Sequence, residues 1–269
     1  MSTLRPLQAA RAVADAYDLP CQDAVVLTGG SNVLVHLKPT PVVARVMTAT
    51  AVLHDDVETW LTRELAVGEF LGKRDLAVSP SHLLPAGPHQ SEGLWMTVWD
   101  YVPHDSRDPL PDATELGHCL RRLHAALAEF PGELDSLVDV QASIGRLLDE
   151  LRPSTDIEVL RAGLHDLTSR VFDSSRPAQA LHGDTGLSNV LRTDRGLLWN
   201  DLEDVCTGPI AWDLAGLVVS ARLRGQGERF IEQVLDAYGG PDIDELSEFI
   251  EAHELYTTIW RWYEAGRRR

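Results

Sequence analysis

A polar loop between two apolar segments, followed at once by a hairpin pattern, most constrains the fold of this chain. Ala180-Leu181 precedes the loop, residues 182–189, and Val190-Leu191 follows it. Short apolar segments bounded by turn residues are typical of buried strands. Thr193-Asp194-Arg195-Gly196 then separates two apolar runs, which predicts a turn between antiparallel strands. We therefore predict that the chain doubles back and returns the residues after residue 199 to the loop.

The loop and the end of the hairpin carry residues suited to phosphoryl transfer. Asp184 and Asn189 lie in the loop, and Asp201 follows the second strand. Proteins catalyse this reaction mainly by positioning groups and neutralising charge. Asp184 could accept or orient an attacking hydroxyl, while the oxygen atoms of Asn189 and Asp201 suit a hard cation such as Mg²⁺. The alternative is that these acids are ordinary turn residues.

Three motifs in this order resemble those of the aminoglycoside phosphotransferase family, which are small-molecule kinases with a protein-kinase-like fold. The first motif is His182-Gly183-Asp184 with Asn189. The second is Asn200-Asp201-Leu202-Glu203-Asp204, and the third is Gly208-Pro209-Ile210-Ala211-Trp212-Asp213-Leu214-Ala215. Any one of these motifs is weak alone, but the order and spacing of all three are fairly specific.

The resemblance covers nearly the whole chain and implies its fold class. We expect an α+β, two-lobed, protein-kinase-like fold. Residues 1–103 would form an antiparallel-sheet, nucleotide-binding lobe, and residues 104–269 a mainly helical, catalytic and substrate-binding lobe. The length of 269 residues also favours about two domains.

The resemblance also assigns roles within the motifs. Asp184 would be catalytic, and Asn189 and Asp201 would hold Mg²⁺. Glu203 and Asp204 are candidates for a further metal or substrate contact. In the third motif, Asp213 would bind the backbone of the catalytic loop rather than the metal, although an acid in the first turns of a helix can also serve the helix dipole.

Residues 25–46 predict an antiparallel meander of three strands, with a Gly29-Gly30 turn after the first. The backbone N–H groups of a glycine turn are accessible and can hold phosphates. In the resembled family this loop covers ATP, which makes Ser31 and Asn32 candidate nucleotide contacts. A simple hairpin without a ligand is the alternative.

The third strand carries Arg45 where protein kinases and many members of the resembled family have a lysine. The chain has two lysines, Lys38 and Lys73, and neither lies in this strand. A guanidinium can hold phosphate with two parallel hydrogen bonds. Arg45 is therefore the expected phosphate ligand, unless it is a surface residue.

Glu64 is the expected partner of Arg45. Residues 57–71 predict a helix, and Glu64 lies on or beside its apolar stripe. A carboxylate on an inward face is costly unless it is paired. The resembled kinases use such a pair of a strand cation and a helix glutamate. Pairing of Glu64 with Arg63 or Lys73 at the surface is the alternative.

Two further regions extend the sequence prediction. Leu94–Trp99 is a buried-strand pattern, and by resemblance backbone groups of Asp100 and Val102 after it would bind the nucleotide base. The Asp112–Glu115 segment predicts a capped helix. Its apolar stripe consists of Leu116, Leu120, Leu123, Leu127 and Phe130, and the two histidines expected as structural or surface residues on it are His118 and His124.

Residues 242–262 combine acidic and aromatic side chains that could bind a cation. They are Asp242, Asp244, Glu245, Glu248, Glu251, Glu254, Tyr256, Trp260 and Trp262. A solvated helix face is the alternative. Residues 267–269 are three arginines, expected to complement a helix C-terminus or to be disordered.

Composition narrows the partners. The net charge of −17 argues against nucleic acid and favours a cationic ligand, although the charge could also serve solubility alone. No apolar run approaches the roughly 20 residues of a membrane span, and we expect no membrane association and a cytoplasmic protein. Cys21, Cys119 and Cys206 are widely spaced, so we expect small buried side chains rather than a disulfide framework or zinc site.

The predicted activity is transfer of the γ-phosphoryl group of ATP, or of GTP, to a hydroxyl of a small molecule. The acidic balance favours a cationic antibiotic, either an aminoglycoside or a basic peptide, which would make the protein a resistance enzyme. Two alternatives stay open. One is a metabolic kinase for choline, a sugar or an amino alcohol. The other is a non-catalytic nucleotide-binding protein, suggested by the missing lysine.

Overall fold

The computed structural model describes residues 3–104, 110–171 and 176–267. The chain divides into two compact units, Met1–Asp105 and Ser106–Arg269. The first unit is built around a sheet and the second around helices. This distribution is the expected α+β class.

The first unit contains a five-stranded sheet in which every neighbouring pair is antiparallel. Its strands are β1 Val25–Gly29, β2 Asn32–His36, β3 Val42–Met47, β4 His89–Ser91 and β5 Leu94–Asp100. The strand order is β1-β2-β3-β5-β4. The predicted meander of the first three strands is therefore confirmed, with Arg45 opposite Leu34 on β2 and Thr97 on β5.

Two helices cover this sheet, α1 Leu4–Ala16 and α2 Val57–Gly72. Alternate residues of β3, including Val42 and Val46, join one apolar cluster with α1. Because successive strand side chains point to opposite faces, Arg45 and Met47 lie on the other face. Met47 packs there with Trp60 and Leu61 of α2. The strand alternation thus directs Arg45 toward α2.

Helix α2 packs closely on β5 at Gly68 and on the segment before β4 at Gly72. A Cβ on Gly68 would lie 2.6 Å from the ring of Trp99, and a Cβ on Gly72 would contact Ser79. Asp56 caps the helix by accepting a hydrogen bond from Thr59 N at 3.0 Å. These contacts fix the position of the helix that carries Glu64.

The second unit contains six helices and two small antiparallel sheets among its described residues. The helices are α3 Ala113–Leu127, α4 Leu137–Asp149, α5 Thr155–Val171, α6 Ala211–Leu223, α7 Glu228–Tyr238 and α8 Ser247–Arg267. Strand β6 Gln179–Leu181 pairs with β9 Cys206–Gly208, and β7 Val190–Thr193 pairs with β8 Gly196–Trp199. Helix α3 packs on α7, and α8 packs on α4, α5 and α6. The predicted hairpin is therefore present as β7 and β8.

Helix α3 begins as predicted but ends earlier. Asp112 accepts hydrogen bonds from Thr114 N and Glu115 N, as expected of a cap. The helix stops at Leu127, so the inclusion of Phe130 in its apolar stripe was wrong. The N–H of Phe130 bonds to Leu127 O in a tighter turn. Proline follows at 131 and has no N–H with which to continue the helix.

Other features bear on the composition arguments. All three cysteines are buried and unpaired, as predicted. None of the described helices has the length and apolar character needed to cross a membrane. Residues 268 and 269 lie outside the described part of the chain, as does the side chain of residue 267, so the expectation for this basic end stays a prediction.

Candidate active site

The loop between β6 and β7 has a backbone conformation that requires glycine at position 183. Gly183 adopts φ +86°, in the left-handed region that favours glycine. A Cβ at this position would collide with the carbonyl of Asp204. Leu187–Asn189 then forms one 3-10 turn that leads into β7. The loop therefore folds tightly against the segment that follows β8.

Asp213, in the first turn of α6, anchors the loop from below. Its Oδ2 accepts a hydrogen bond from His182 N at 2.7 Å, and its Oδ1 accepts one from Gly183 N at 2.9 Å. The hydroxyl of Thr185 donates to the Asp213 carbonyl. The neighbouring Trp212 Nε1 donates to Gly183 O at 2.9 Å. The predicted binding of Asp213 to the loop backbone is confirmed.

The environment of Asp213 keeps it ionised. The side chain is completely buried, and burial alone would raise its pKa. A hydrogen bond from His124, the charges of His124 and His182 and the backbone bond from His182 outweigh burial and lower the pKa of Asp213. The anchor is therefore a carboxylate with hydrogen-bond donors on both oxygens.

Asp184 is oriented by Asn189. The Nδ2 of Asn189 donates to the Asp184 carbonyl oxygen at 3.0 Å and to Oδ2 at 2.8 Å. Burial and the charge of Asp201 raise the pKa of the Asp184 carboxyl, against the opposing effects of His182 and Asn189. His182 itself is fully buried and donates through Nε2 to Asn200 O at 3.1 Å. The carboxylate of Asp184 thus has a fixed direction and an acidic neighbour.

The β7–β8 hairpin brings Asp201 to the loop, as the sequence predicts. Val190 pairs with Trp199, and Asn200 N donates to Asn189 O at 3.0 Å. Asp201 follows in the left-handed region, with φ 60° and ψ 64°. A non-glycine residue in this region is uncommon and often marks a functional site. The charge of Asp201 raises the pKa of Asp184, so the two carboxylates lie within range of electrostatic repulsion.

This donor set fits a magnesium ion. A cation at Asp201 would offset its repulsion of Asp184, and Asn189 can ligate through Oδ1 because its Nδ2 is bonded to Asp184. No group of three or more histidines, cysteines and acids among the described residues could hold a metal by itself. Mg²⁺ commonly uses one or two protein carboxylates and completes its shell with water and phosphate oxygens. The residues present match that pattern.

Glu203 and Asp204 lie next to this site. They belong to a 3-10 turn, Leu202–Asp204, and both side chains are partly exposed. The carbonyl of Asp204 touches Gly183, so this turn supports the loop through its backbone. A contact of either side chain with metal or substrate stays a prediction.

In the first unit, Arg45 and Glu64 form the predicted ion pair. Nη1 of Arg45 lies 2.9 Å from Oε1 and 3.0 Å from Oε2 of Glu64. The two residues are 5% and 2% exposed, which rules out the surface alternative for both. Lys73 pairs with Glu69 at 2.9 Å instead. The pairing is confirmed, while a role in binding phosphate stays a prediction.

The predicted phosphate loop has Gly30 and Ser31 at its turn between β1 and β2. The side chain of Asn32 is buried, and its Oδ1 accepts a hydrogen bond from Thr50 Oγ1 at 3.0 Å. Ser31 O accepts from Ala49 N and from Thr48 Oγ1, both at 2.8 Å. Asn32 therefore braces the base of the loop, so a nucleotide contact there would use backbone N–H groups.

The two residues expected at the nucleotide base differ in their available groups. Asp100 N donates to Ser79 O at 2.9 Å, so a base contact of Asp100 would have to use its carbonyl. The carbonyl of Val102 accepts a hydrogen bond from His104 Nδ1 at 2.9 Å, which leaves its N–H as the group for such a contact.

His124 is the site-supporting residue whose role the sequence did not predict. Its Nε2 lies 2.8 Å from Asp213 Oδ2, and its Nδ1 lies 2.8 Å from the hydroxyl of Tyr238. His118, by contrast, is exposed. Its position in the sequence could have indicated that His124 is buried. His124 follows Leu120 by four residues and precedes Leu127 by three, so it lies on the apolar stripe of α3.

Comparison with known proteins identifies the family. Residues 28–249 match the family described as the phosphotransferase enzyme family. This match covers all three motifs, Arg45 and Glu64. No protein of curated function matches the chain.

Solved structures share the fold at low sequence identity. The amicoumacin kinase hAmiN, in complex with AMP-PNP, Ca²⁺ and Ami, aligns with a TM-score of 0.74 and 11% identity, over 95% of this chain and 86% of that one. The choline kinase LicA from Streptococcus pneumoniae aligns with a TM-score of 0.70 and 16% identity, over 97% and 92%. The aminoglycoside-3'-phosphotransferase of type VIII aligns with a TM-score of 0.69 and 20% identity, over 94% and 99%.

These likenesses confirm the expected kinase-like, two-lobed α+β fold. The matched region includes the anchored loop, the acidic pair and the Arg45–Glu64 pair. The chain belongs to the phosphotransferase enzyme family.

Proposed function

We propose that this protein transfers the γ-phosphoryl group of ATP, or of GTP, to a hydroxyl of a small cationic molecule. The observation that carries the proposal is the catalytic loop, which Asp213 holds by two backbone N–H groups and which presents Asp184 beside Asp201. An intact set of Asp184, Asn189 and Asp201 argues against a protein that only binds nucleotide. The first unit would bind the nucleotide and the second would carry catalysis and the acceptor.

Asp184 acts mainly by orientation in this proposal. Its carboxylate, held by Asn189, accepts a hydrogen bond from the acceptor hydroxyl and directs its oxygen at the phosphorus. In a loose transition state the hydroxyl proton leaves late, so a weak base suffices.

Asn189 and Asp201 would hold Mg²⁺ through their side-chain oxygens, and Glu203 or Asp204 could add a contact. A bound Mg²⁺ supplies charge neutralisation at the phosphate oxygens. The left-handed backbone of Asp201 fixes where its carboxylate lies relative to the loop. Asn189 would contact both Asp184 and the metal. Its Nδ2 orients Asp184, and its Oδ1 is the atom that could bind the metal.

Arg45 would bind the nucleotide phosphates, with Glu64 holding its guanidinium in place. Both carboxylate oxygens of Glu64 contact Nη1, which restricts rotation of the guanidinium plane. Arginine keeps its charge at any working pH and can bind phosphate through two N–H groups. The Gly30-Ser31 turn would add backbone N–H groups, and Asp100 and Val102 would contact the base.

A cavity of about 310 Å³ in the second unit supports a cationic substrate. Arg222 of α6 and three acids, Asp244, Glu251 and Glu254, lie in its wall. Glu251 pairs with Arg170 at 3.3 Å. Within the described ranges, the carboxylates of Asp244 and Glu254 make no ion pair, which leaves two acids for a ligand. Three acids of the predicted acidic segment, Asp244, Glu251 and Glu254, therefore line a concave surface.

Helix α6 contributes both to the cavity wall, through Arg222, and to the support of the catalytic loop. Ser220, two residues before Arg222, accepts a hydrogen bond through Oγ from Leu187 N at 2.8 Å. Its Oγ lies 3.7 Å from where a Cβ of Gly186 would be. In this proposal, a substrate with its ammonium group in the cavity extends toward the loop that carries Asp184.

The lining of the cavity favours protonated amines over quaternary ammonium. Quaternary groups are recognised by aromatic faces, whereas the wall here consists of acids, an arginine, a serine and two isoleucines. An aminoglycoside or a basic peptide antibiotic fits this chemistry, and the protein would then confer resistance. The small volume also favours a second candidate, a metabolic kinase for an amino alcohol.

A product screen by mass spectrometry tests the proposal. Purified protein with Mg²⁺ and either ATP or GTP would be incubated with aminoglycosides, basic peptides, amino alcohols, choline and neutral sugars. We expect a product 80 Da heavier, the mass of one added HPO₃ group, from an amine-bearing alcohol. Phosphorylation of neutral sugars alone would contradict the cationic substrate class.

Variants of the cavity acids then locate the substrate. Glu254→Gln and Asp244→Asn should raise KM for the amine at least several-fold with little change in KM for the nucleotide, because each loses one charge contact. Glu245→Gln is the matched control, since Glu245 lies on the same segment and caps the turn at Asp242. Equal KM values in all three variants and wild type would place the substrate elsewhere.

A further inference from the structure

Three buried side chains from three helices form a continuous hydrogen-bonded chain beneath the catalytic loop. Tyr238 of α7 contacts His124 of α3, and His124 contacts Asp213 of α6, each at 2.8 Å. Their exposed fractions are 9%, 3% and 0%. Asp213 continues the chain to the N–H groups of His182 and Gly183. Tyr238 is thereby linked to the loop by hydrogen bonds alone.

The donors and acceptors in this chain follow from the ionisation of its ends. The lowered pKa of Asp213 makes it a carboxylate, which can only accept, so Nε2 of His124 must carry a hydrogen. Burial raises the pKa of Tyr238 to about 12, so its hydroxyl keeps a proton that it can donate. The hydroxyl of Tyr238 therefore makes the second hydrogen bond of the His124 ring, at Nδ1.

We propose that Tyr238 and His124 are positioning residues for phosphoryl transfer, in which Tyr238 fixes the ring orientation of His124 and His124 fixes Asp213. A carboxylate with three donors cannot rotate without breaking one of its bonds. Asp213 therefore holds the backbone on which Asp184 sits. The kinetic part of this inference rests on the proposed role of Asp184.

Close packing of α3 on α7 fixes the position of His124 relative to Tyr238. A Cβ on Gly117 would lie 2.8 Å from Ala237 Cβ and 2.9 Å from Tyr238 N. Gly117 lies seven residues before His124, about two turns along the same helix face. The ring of Tyr238 meets that of His124 edge-on, with centroids 5.5 Å apart. The contact between α3 and α7 therefore sets the geometry between Tyr238 and His124.

We call the hydrogen-bonded chain of Tyr238, His124 and Asp213 the relay. Hydrogen exchange of the loop amides tests it without any substrate. The amides of His182 and Gly183 donate to Asp213, so their exchange rates report whether that anchor holds. In the 269-residue chain, His124→Leu should accelerate exchange at these two amides by tenfold or more. His124→Gln, which keeps a donor toward Asp213, should restore most of the protection. His118→Leu, at an exposed position of the same helix, is the control and should change nothing.

Kinetics then test the consequence for catalysis. His124→Leu should lower kcat on the order of 10- to 100-fold with little change in KM for nucleotide, because the loss is in the placement of Asp184. Tyr238→Phe should lie between wild type and His124→Leu in both measurements. If His124→Leu does not fold, Tyr238→Phe decides alone.

Two results would overturn the relay. One is unchanged exchange at His182 and Gly183 in Tyr238→Phe and, where it folds, His124→Leu. The other is a His124→Gln variant as impaired as His124→Leu, which would reduce His124 to a packing residue. If wild type transfers no phosphate, the proposed function fails, while the exchange experiment still decides whether the relay exists.

Discussion

Arg45 and Glu64 form a deeply buried ion pair in the first unit. Breaking such a pair leaves one charge buried without its partner, which costs about 3–5 kcal/mol. Replacing both members with apolar residues of similar size is often nearly neutral. Stability alone therefore does not explain why this pair is charged. We propose that the charge of Arg45 is needed to bind the nucleotide phosphates.

Arg45→Met should lower the free energy of unfolding by about 3–5 kcal/mol, because Glu64 loses the pairing charge. Arg45→Met combined with Glu64→Leu should recover most of this stability. Nucleotide affinity should stay weak in both variants, since neither has the cation. Urea denaturation and titration calorimetry measure the two effects separately. Wild-type affinity in the double variant would show that the phosphates are held elsewhere.

At the scale of elements, Gly68 sets the distance between α2 and β5. A Cβ there would lie 2.6 and 2.9 Å from two ring atoms of Trp99, and the ring is fixed by a 2.8 Å hydrogen bond from Nε1 to Thr97. Glu64 lies one turn earlier on the same helix. Any displacement of α2 at Gly68 is therefore transmitted to the Arg45–Glu64 pair.

Gly68→Ala should destabilise the protein by about 1–3 kcal/mol, because overpacking outweighs the helix propensity that alanine adds. Nucleotide affinity should fall in parallel as Glu64 shifts. Gly145→Ala in α4 is the control, since the nearest side-chain atom, Leu164 Cδ2, is 4.0 Å away. That change should stabilise by about 0.5–1 kcal/mol. Equal stability of Gly68→Ala and wild type would contradict the close packing.

The elements that sequence patterns predicted are those with local signals. The β1–β3 meander and the β7–β8 hairpin have short turns, and turn chemistry marks both. The pairing of Arg45 with Glu64 followed from a general rule that an inward carboxylate needs a partner. Phe130 was placed wrongly in α3 because helix ends depend on a few tight-turn hydrogen bonds.

The unpredicted features all join distant parts of the chain. Gln179 of β6 pairs with Gly208 of β9, and His124 contacts Asp213 across 89 positions. The sequence around one residue of such a pair does not indicate which distant residue it contacts. A single sequence therefore shows the loop and its acids, but not the relay that holds them.

At the scale of the whole molecule, the charge of −17 sets conditions for binding. A negative field repels nucleotide at long range and attracts cationic substrates. Nucleotide binding then depends on local cations, which in this proposal are Arg45 and Mg²⁺. Part of the acidic surface is already neutralised, because Glu248 and Glu251 pair with arginines of the same unit.

His253 adds a pH dependence to the stability of the second unit. Burial lowers its pKa from 6.5 to about 4, and its Nε2 donates to Trp212 O at 2.9 Å. The unfolded chain takes up a proton near pH 6.5, while the folded protein resists until about pH 4. Stability from this group is therefore complete above pH 6.5 and is lost as the pH falls toward 4, with at most about 3 kcal/mol at stake.

His253→Gln should flatten this dependence, because glutamine keeps an N–H donor for Trp212 but does not titrate. Urea denaturation at pH 7 and pH 5 should show a decrease in wild type that exceeds the decrease in the variant by up to about 2 kcal/mol. His118→Gln, at an exposed site, should follow wild type. The same pH dependence in His253→Gln would assign the effect to other groups.

The most direct test of the proposed mechanism compares wild type with Asp184→Asn under single-turnover conditions. Phosphate transfer from radiolabelled ATP or GTP to an acceptor found in the screen would be measured beside nucleotide affinity. Asparagine keeps the size of the side chain but cannot accept the hydroxyl proton, so transfer should fall by about 10²–10⁴-fold. Nucleotide affinity should stay within a few-fold of wild type. Near-normal transfer by Asp184→Asn would contradict the assignment of Asp184 as the catalytic residue.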